Sequence, residues 1–205
     1  LTGNFADRIR LSTPVAEILR RDGQIEIRDA HGGRHVFDDV VIATHADQAL
    51  RMLSDPSERE RRILGAFRYS RNEAVLHTDI SLMPKRRAAW SSWNYVADTR
   101  AKTGAQVQQP SITYWMNRLQ PLGKTPDTFV TLNPAREPDQ GKIIAEQTNH
   151  HPVFDAASEQ MRKESWALQG LRNTWFCGAN FGLGCHADGF PAGLVVPEVL
   201  GGSSR

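Results

Sequence analysis

From Trp175 to Leu194 the chain runs from an apolar strand (Trp175 to Cys177) through a glycine-rich turn and into a helix predicted to reach about Leu200. Gly178, Gly182, Gly184 and Gly189 allow positive φ and close approach of the main chain to a ligand. The helix that follows would aim unpaired N–H groups and its positive dipole end at the turn. Such a backbone makes room for a flat, anionic cofactor. A tight strand-to-helix connection without a ligand satisfies the same spacing. Pro197 falls inside the predicted helix and would kink or end it.

The 205 residues allow one domain or two small ones, each with a real core. Net charge is +2, too small a field to favour nucleic acid or an anionic membrane. The arginines Arg59, Arg61 and Arg62 are interleaved with Glu58 and Glu60, the pattern of a solvated helix face. The second basic cluster, Lys85 to Arg87, is equally short. Two cysteines, Cys177 and Cys185, make neither a C-x-x-C pair nor a disulfide framework, which places the chain by default in a reducing cytoplasm. No apolar run approaches 18 residues, so no transmembrane segment is expected, and no signal peptide is visible. The first residue is Leu1, which reads as the start of a fragment.

Asp22-Gly23 between two apolar runs predicts a hairpin of strands at Val15–Leu19 and Gln24–Asp29. A third strand is expected over Val36–Ala43, with a helix capped by a Thr44/Asp47 box behind it. A Ser57/Glu60 box predicts another helix, with Ile63, Leu64 and Phe67 inward. Strands are then expected at 72–78, 89–96, 111–117, 129–132 and 142–148, rich in Val, Ile, Thr, Trp and Tyr. Consecutive strands without helices imply a mixed, largely antiparallel sheet. Asp155 caps a helix predicted to reach about Gln169, with Ala157, Met161 and Leu168 inward. The fold class is therefore α+β, related to α/β. Residues 1–55 and 170–205 read as pieces of one lobe, and 56–169 as an insertion between them.

Trp90, Trp93, Tyr95, Tyr114 and Trp115 concentrate aromatic surface in the insertion. Some of them line a substrate cavity if their strands are neighbours; sheet core and cross-strand pairing are the plainer alternative. Strand alternation would put Trp90 and Trp93 on opposite faces. His77 and Lys85 are the remaining acid–base candidates. Cys177, Cys185, His150, His151 and His186 fit no standard zinc spacing, so no metal is expected. Asp188 reads as a helix cap, and His186 as either a polar contact to a ligand at the turn or a local hydrogen-bonding group.

Six segments together carry a family resemblance: Arg10–Val15, Phe37–Leu50, Trp90–Tyr95, Thr113–Gln120, Val130–Pro134 and the terminal glycine-rich run. The chain resembles the C-terminal portion of flavin-containing amine-oxidase-like oxidoreductases, in the branch of NAD/FAD-binding proteins related to the N-terminal domain of plant cyclopropane fatty acid synthases. The resemblance implies part of a two-lobed FAD protein: an incomplete cofactor lobe and a substrate domain. It implies non-covalent FAD, hydride or electron transfer, and a small-molecule or lipid-like substrate. By position it assigns Val15 to the adenine, Ala43 and Thr44 to the ADP portion, and Gly178 and Ala179 to the pyrophosphate and ribitol. Gly189 and Phe190 would open the helix facing the isoalloxazine edge. Trp93, Tyr95 and Tyr114 are the candidate substrate residues, and no catalytic residue is assigned.

Three features depart from that pattern, among them Ala179, where amine oxidases often carry an acidic residue, and Pro197 inside the last predicted helix. No strand–G-x-G-x-x-G–helix unit occurs, so most ADP contacts of the family are missing here; a nucleotide-binding lobe encoded upstream would favour the enzyme reading, and a natural start near Leu1 a binding reading. Leu183, Cys185 and Ala187 replace residues usual in the nearest branch, which keeps open a second reading as a non-catalytic binding domain of the same fold.

Overall fold

The computed structural model describes residues 2–96 and 111–179. The chain forms two compact units, residues 1–69 with 152–205 and residues 70–151.

In the first unit, β1 (Val15–Arg21), β2 (Gln24–Asp29) and β3 (Arg34–Phe37) form an antiparallel sheet in that order. Asp22 and Gly23 both take positive φ, 53° and 77°, the conformation a two-residue hairpin needs to follow strand twist. The single strand expected over Val36–Ala43 is two strands. It breaks at Asp38-Asp39, where Asn173 donates to the Asp38 carbonyl at 3.0 Å and the Trp175 indole to Asp39 Oδ1 at 3.1 Å. Beyond the break, β4 (Val40–Ile42) leaves the first sheet.

Two short helices follow, α1 (Ala46–Met52) and α2 (Glu58–Leu64). The cap of α1 is His45 rather than Thr44: the Gln48 side chain accepts from His45 N at 3.4 Å, and the Thr44 hydroxyl is turned to the His45 carbonyl at 3.1 Å. The Ser57/Glu60 box forms in both directions. Glu60 also reaches beyond its helix, to the guanidinium of Arg20 on β1 at 2.5 Å. Arg20 and Glu60 are both buried, and Asp55 takes the Arg20 Nε at 3.0 Å. Arg172 pairs with the same Asp55. Ile18, Ile25, Ile42, Ile63, Leu64, Phe67 and Leu168 lie in the core beneath this cluster.

The second unit contains most of a five-stranded sheet, ordered β6-β7-β8-β5-β9. Its strands are β5 (Arg68–His77), β6 (Trp93–Val96), β7 (Ser111–Trp115), β8 (Phe129–Leu132) and β9 (Ile143–Val153), with a single turn of helix, α3 (Met116–Leu119), after β7. The strand expected at 89–96 begins only at Trp93. Before it the chain makes a short 3-10 turn, and Trp90 is pinned by its indole N–H to the Pro84 carbonyl at 2.7 Å.

Burial in this sheet runs against hydrophobicity. One face carries the rows Asn94–Thr113–Thr131–Val75 and Trp115–Phe129–His77. Asn94, Thr113, Thr131 and His77 on it are buried despite their polarity. They satisfy one another. His77 Nδ1 accepts from Asp79 N at 3.1 Å, which leaves the proton on Nε2 to donate to Thr131 Oγ1 at 2.8 Å. Thr131 and Thr113 hydroxyls meet at 2.8 Å, and Asn94 donates to the Thr113 carbonyl at 3.2 Å. Met83, Trp90 and Phe129 pack against one another in this part of the core. The other face carries the rows Trp93–Tyr114–Val130–Leu76 and Tyr95–Ile112–Leu132–Ala74, all apolar or aromatic and all exposed or half-buried.

Burial pushes the His77 imidazole below its ordinary value of 6.5, against the opposing pull of Asp79. The unfolded chain therefore binds this proton first. The His77 contribution to stability is complete above about pH 6.5 and declines as pH falls below it, at up to about 1.4 kcal/mol per pH unit. Denaturant melts of the wild type and His77→Gln between pH 7 and 5 check this, since the slope should shrink in the variant.

The chain re-enters the first unit with α4 (Ala156–Ser165), capped by Asp155, whose carboxylate accepts from Ser158 N at 2.8 Å. The helix is shorter than expected, ending in a 3-10 turn from Trp166 to Leu168, and Gly170 follows with φ 73°. Ala157 is exposed; the inward positions are Ser158, Met161, Ser165 and Leu168. Last comes β10 (Thr174–Phe176), fully buried and parallel to β4.

Candidate functional site

β4 and β10 run parallel and in register, Val40 to Ile42 against Thr174 to Phe176, and Cys177 N extends the ladder to the Ile42 carbonyl at 3.1 Å. Their carboxyl ends therefore open side by side. In parallel sheets this is where ligands bind, because the chain leaves both strands there and bares backbone groups. A cavity of about 320 Å³ lies at that point, lined by Ala43, Thr44, His45, Gln48, Tyr69, Pro152, Gly178 and Ala179. Every lining residue belongs to the first unit.

Gly178 leaves β10 with φ 140°, a conformation that side chains resist, so the backbone can approach a ligand directly there. The lining also includes a stacked pair, His45 on Tyr69, with ring centroids 4.2 Å apart and planes 13° apart. Tyr69 is locked in place because its hydroxyl accepts the Ala46 N–H at 2.8 Å, satisfying one of the open donors at the start of α1. Burial raises the Tyr69 pKa, so the phenol keeps its proton at neutral pH. No lining residue is a carboxylate, lysine or arginine. Among the described residues there is no His, Cys, Asp or Glu cluster able to hold a metal ion. The arrangement suits a planar, uncharged or backbone-bound group: a small-residue floor, a flat ring pair, and a few neutral polar atoms.

Of the residues assigned in advance, Ala43, Thr44, Gly178 and Ala179 converge on this cavity. Val15 stands at the start of β1 and is not among its lining residues. Gly189 and Phe190, like His186, Asp188 and Pro197, lie outside the described residues. Cys177 is buried with its thiol pushed up by that burial, the behaviour of a small core residue. In the second unit Trp93, Tyr95 and Tyr114 share the apolar sheet face, while Trp90 and Trp115 form an edge-to-face core pair at 5.3 Å. His77 is fully buried and committed to its network, and Lys85 is exposed. Neither is set for acid–base work. His45, Gln48 and Tyr69 were not foreseen. His45 was discoverable as the residue where the strand end meets a helix start; nothing in the sequence marks Tyr69.

No family model matches the sequence, and no curated protein matches it. Solved structures do. A conjugated-linoleic-acid-producing fatty acid isomerase from P. acnes superposes with a TM-score of 0.58 at 16% identity, covering 89% of this chain and 46% of that one. Reduced UDP-galactopyranose mutase gives 0.60 at 10% identity, covering 93% and 47%. Putrescine oxidase bound to putrescine gives 0.60 at 12%, covering 96% and 50%. The likeness to these structures is one of fold. The chain spans about half the length of these structures. Among the described residues no helix is long and apolar enough to cross a membrane.

Proposed function

We propose that this chain is the C-terminal portion of an FAD-dependent oxidoreductase that transfers a hydride or electrons between a substrate and non-covalently held FAD. The observation that carries the proposal is the cavity at the carboxyl ends of β4 and β10, lined by the positive-φ Gly178 and by the His45–Tyr69 stack. Among the described residues this parallel sheet has two strands, fewer than is usual for a parallel sheet covered on both faces. A nucleotide-binding lobe elsewhere in the polypeptide would extend that sheet and supply the remaining cofactor contacts.

In this reading Gly178 and Ala179 give backbone access to the cofactor, and Ala43 and Thr44 border its ADP portion. Tyr69 holds His45 flat as a wall of the cavity. Val15, Gly189 and Phe190 keep the roles that the family resemblance assigns them. The second unit carries the substrate, with Trp93, Tyr95 and Tyr114 at its surface. FAD, when bound, accepts the hydride, so the protein's task is to position and to exclude water. The likeness of fold to an isomerase, a mutase and an oxidase supports the cofactor class and leaves the substrate to experiment.

Gly178→Val tests the assignment in a polypeptide that includes the nucleotide-binding lobe. A branched side chain at φ 140° strains the turn and fills the cofactor's approach. The expected outcome is flavin retention at least about tenfold lower, equal to about 1.4 kcal/mol of binding, measured by absorbance after gel filtration. Undiminished retention would contradict the site.

A further inference from the structure

We infer that Gln169 is a positioning residue of the cavity, holding the end of β10 so that a ligand reaches the backbone of Gly178 and Ala179. For the identity of that ligand the inference rests on the flavin reading. Gln169 is half-buried and is not among the lining residues, so it acts through the strand. Its carboxamide lies against Phe176, two residues before Gly178. Oε1 accepts the Phe176 N–H at 2.9 Å, and Nε2 donates to the Phe176 carbonyl at 2.7 Å. Only one orientation of the amide satisfies both groups.

The loop before β10 is shaped to deliver that amide. Leu168 is buried, and the Gln169 N–H donates to the Trp166 carbonyl at 3.3 Å. Gly170 then turns the chain back with φ 73°, and its N–H donates to the Thr174 carbonyl at 3.0 Å. A Cβ on Gly170 would stand 2.9 Å from the Trp175 indole, so the turn closes this tightly only with glycine. Arg172 and Asn173 both take positive φ, 54° and 57°, and both are tied down. Asn173 donates to the carbonyls of Gly23 at 2.9 Å and Asp38 at 3.0 Å, and Arg172 to the Arg20 carbonyl at 3.2 Å. Strain at such residues persists only where surrounding contacts impose it.

The Gln169 carboxamide thus replaces the peptide group of a neighbouring strand on one edge of β10. On the other edge Cys177 N–H donates to the Ile42 carbonyl at 3.1 Å. Successive residues of a strand bond to opposite sides, so the two contacts clamp Phe176 and Cys177 from both edges. Gly178 has no side chain to fix it and leaves with φ 140°. Its place is therefore inherited from the clamp, about 7 Å back along the strand.

The test exchanges the amide donor for an acceptor. Gln169→Glu keeps the shape and the bond from Phe176 N–H, but turns a carboxylate oxygen toward the Phe176 carbonyl. Once protonated, with an ordinary carboxyl value of about 4.3, it donates to that carbonyl again. Gln169→Met keeps the length and lacks both bonds at every pH. The first readout is hydrogen exchange of amides 176–178 in the full chain without flavin, normalised to the wild type at the same pH. Gln169→Glu should exchange about tenfold faster at pH 8 and return toward the wild type at pH 4.5, while Gln169→Met is faster at both. The second readout is flavin retention by the polypeptide that includes the nucleotide-binding lobe. It should fall about tenfold in Gln169→Glu at pH 8 and recover at pH 4.5. Wild-type exchange in Gln169→Glu at pH 8 overturns the inference. So does a loss that low pH does not repair, the mark of general destabilisation, or full flavin retention in both variants. A wild type that retains no flavin would sink the function proposed above, and the exchange measurement alone would then decide whether Gln169 sets the rim.

Discussion

Glu60→Ala lowers the free energy of unfolding by about 3–5 kcal/mol, the range for removing one member of a buried ion pair. Glu60 is 3% exposed and Arg20 5%, so the deletion strands a guanidinium where water does not reach. The pair is bidentate, Nη1 to Oε1 at 2.5 Å and Nη2 to Oε2 at 3.0 Å, and Arg20 holds the Glu60 carboxyl below its ordinary range in spite of burial. The same substitution removes half of the α2 capping box, because Ser57 N and Oγ both donate to Glu60. Asp55 remains beside Arg20 and keeps the loss from being larger. A lower urea midpoint at unchanged m-value is the expected signature. The double variant Arg20→Met with Glu60→Leu should recover most of the loss, since apolar replacement removes both desolvated charges together. A double variant as unstable as Glu60→Ala would contradict this account of the cluster.

Phe129→Ala costs about 3–5 kcal/mol, while Val130→Ala, one residue later, costs about 1 kcal/mol or less. Phe129 has no exposed surface and meets Trp90 edge-to-face at 5.6 Å and His77 at 5.6 Å. Removing the ring opens a cavity that Met83, Trp90 and Trp115 fill only in part. Val130 points to the half-open face, where a methyl pair has few partners to lose. Paired denaturant melts give the comparison. Equal costs would mean that both faces of this sheet are core.

Local chemistry was the legible part of the fold. Asp22-Gly23, the Ser57/Glu60 box and the Asp155 cap each act through neighbours in sequence, and each appears where the residues predict it. The α+β class followed from the order of elements. What sequence did not disclose depends on distant partners. Val36–Ala43 reads as one apolar strand, and only Asn173 and Trp175, far along the chain, break it in two. Arg20 looks like a surface residue near a hairpin until Glu60 and Asp55 arrive from α2 and the loop before it. Alternation correctly separates the two faces of the second sheet, but hydrophobicity would bury the wrong one. The Thr113–Thr131–His77 chain can be buried only because its members meet across three strands.

The candidate site divides the same way. Gly178 and Thr44 were marked by their place at strand ends, where backbone must turn. Tyr69 enters through a hydrogen bond to the start of α1 and a ring stack, neither of which leaves a trace in spacing.

The most direct measurement is the visible absorbance of this chain and of a polypeptide that adds the nucleotide-binding lobe, both purified and both incubated with FAD. Flavin bands that persist through gel filtration in the longer protein, and are lost with Gly178→Val, are the predicted result. No retained flavin in either protein would contradict the account, and the fold would then serve as a non-catalytic binding domain.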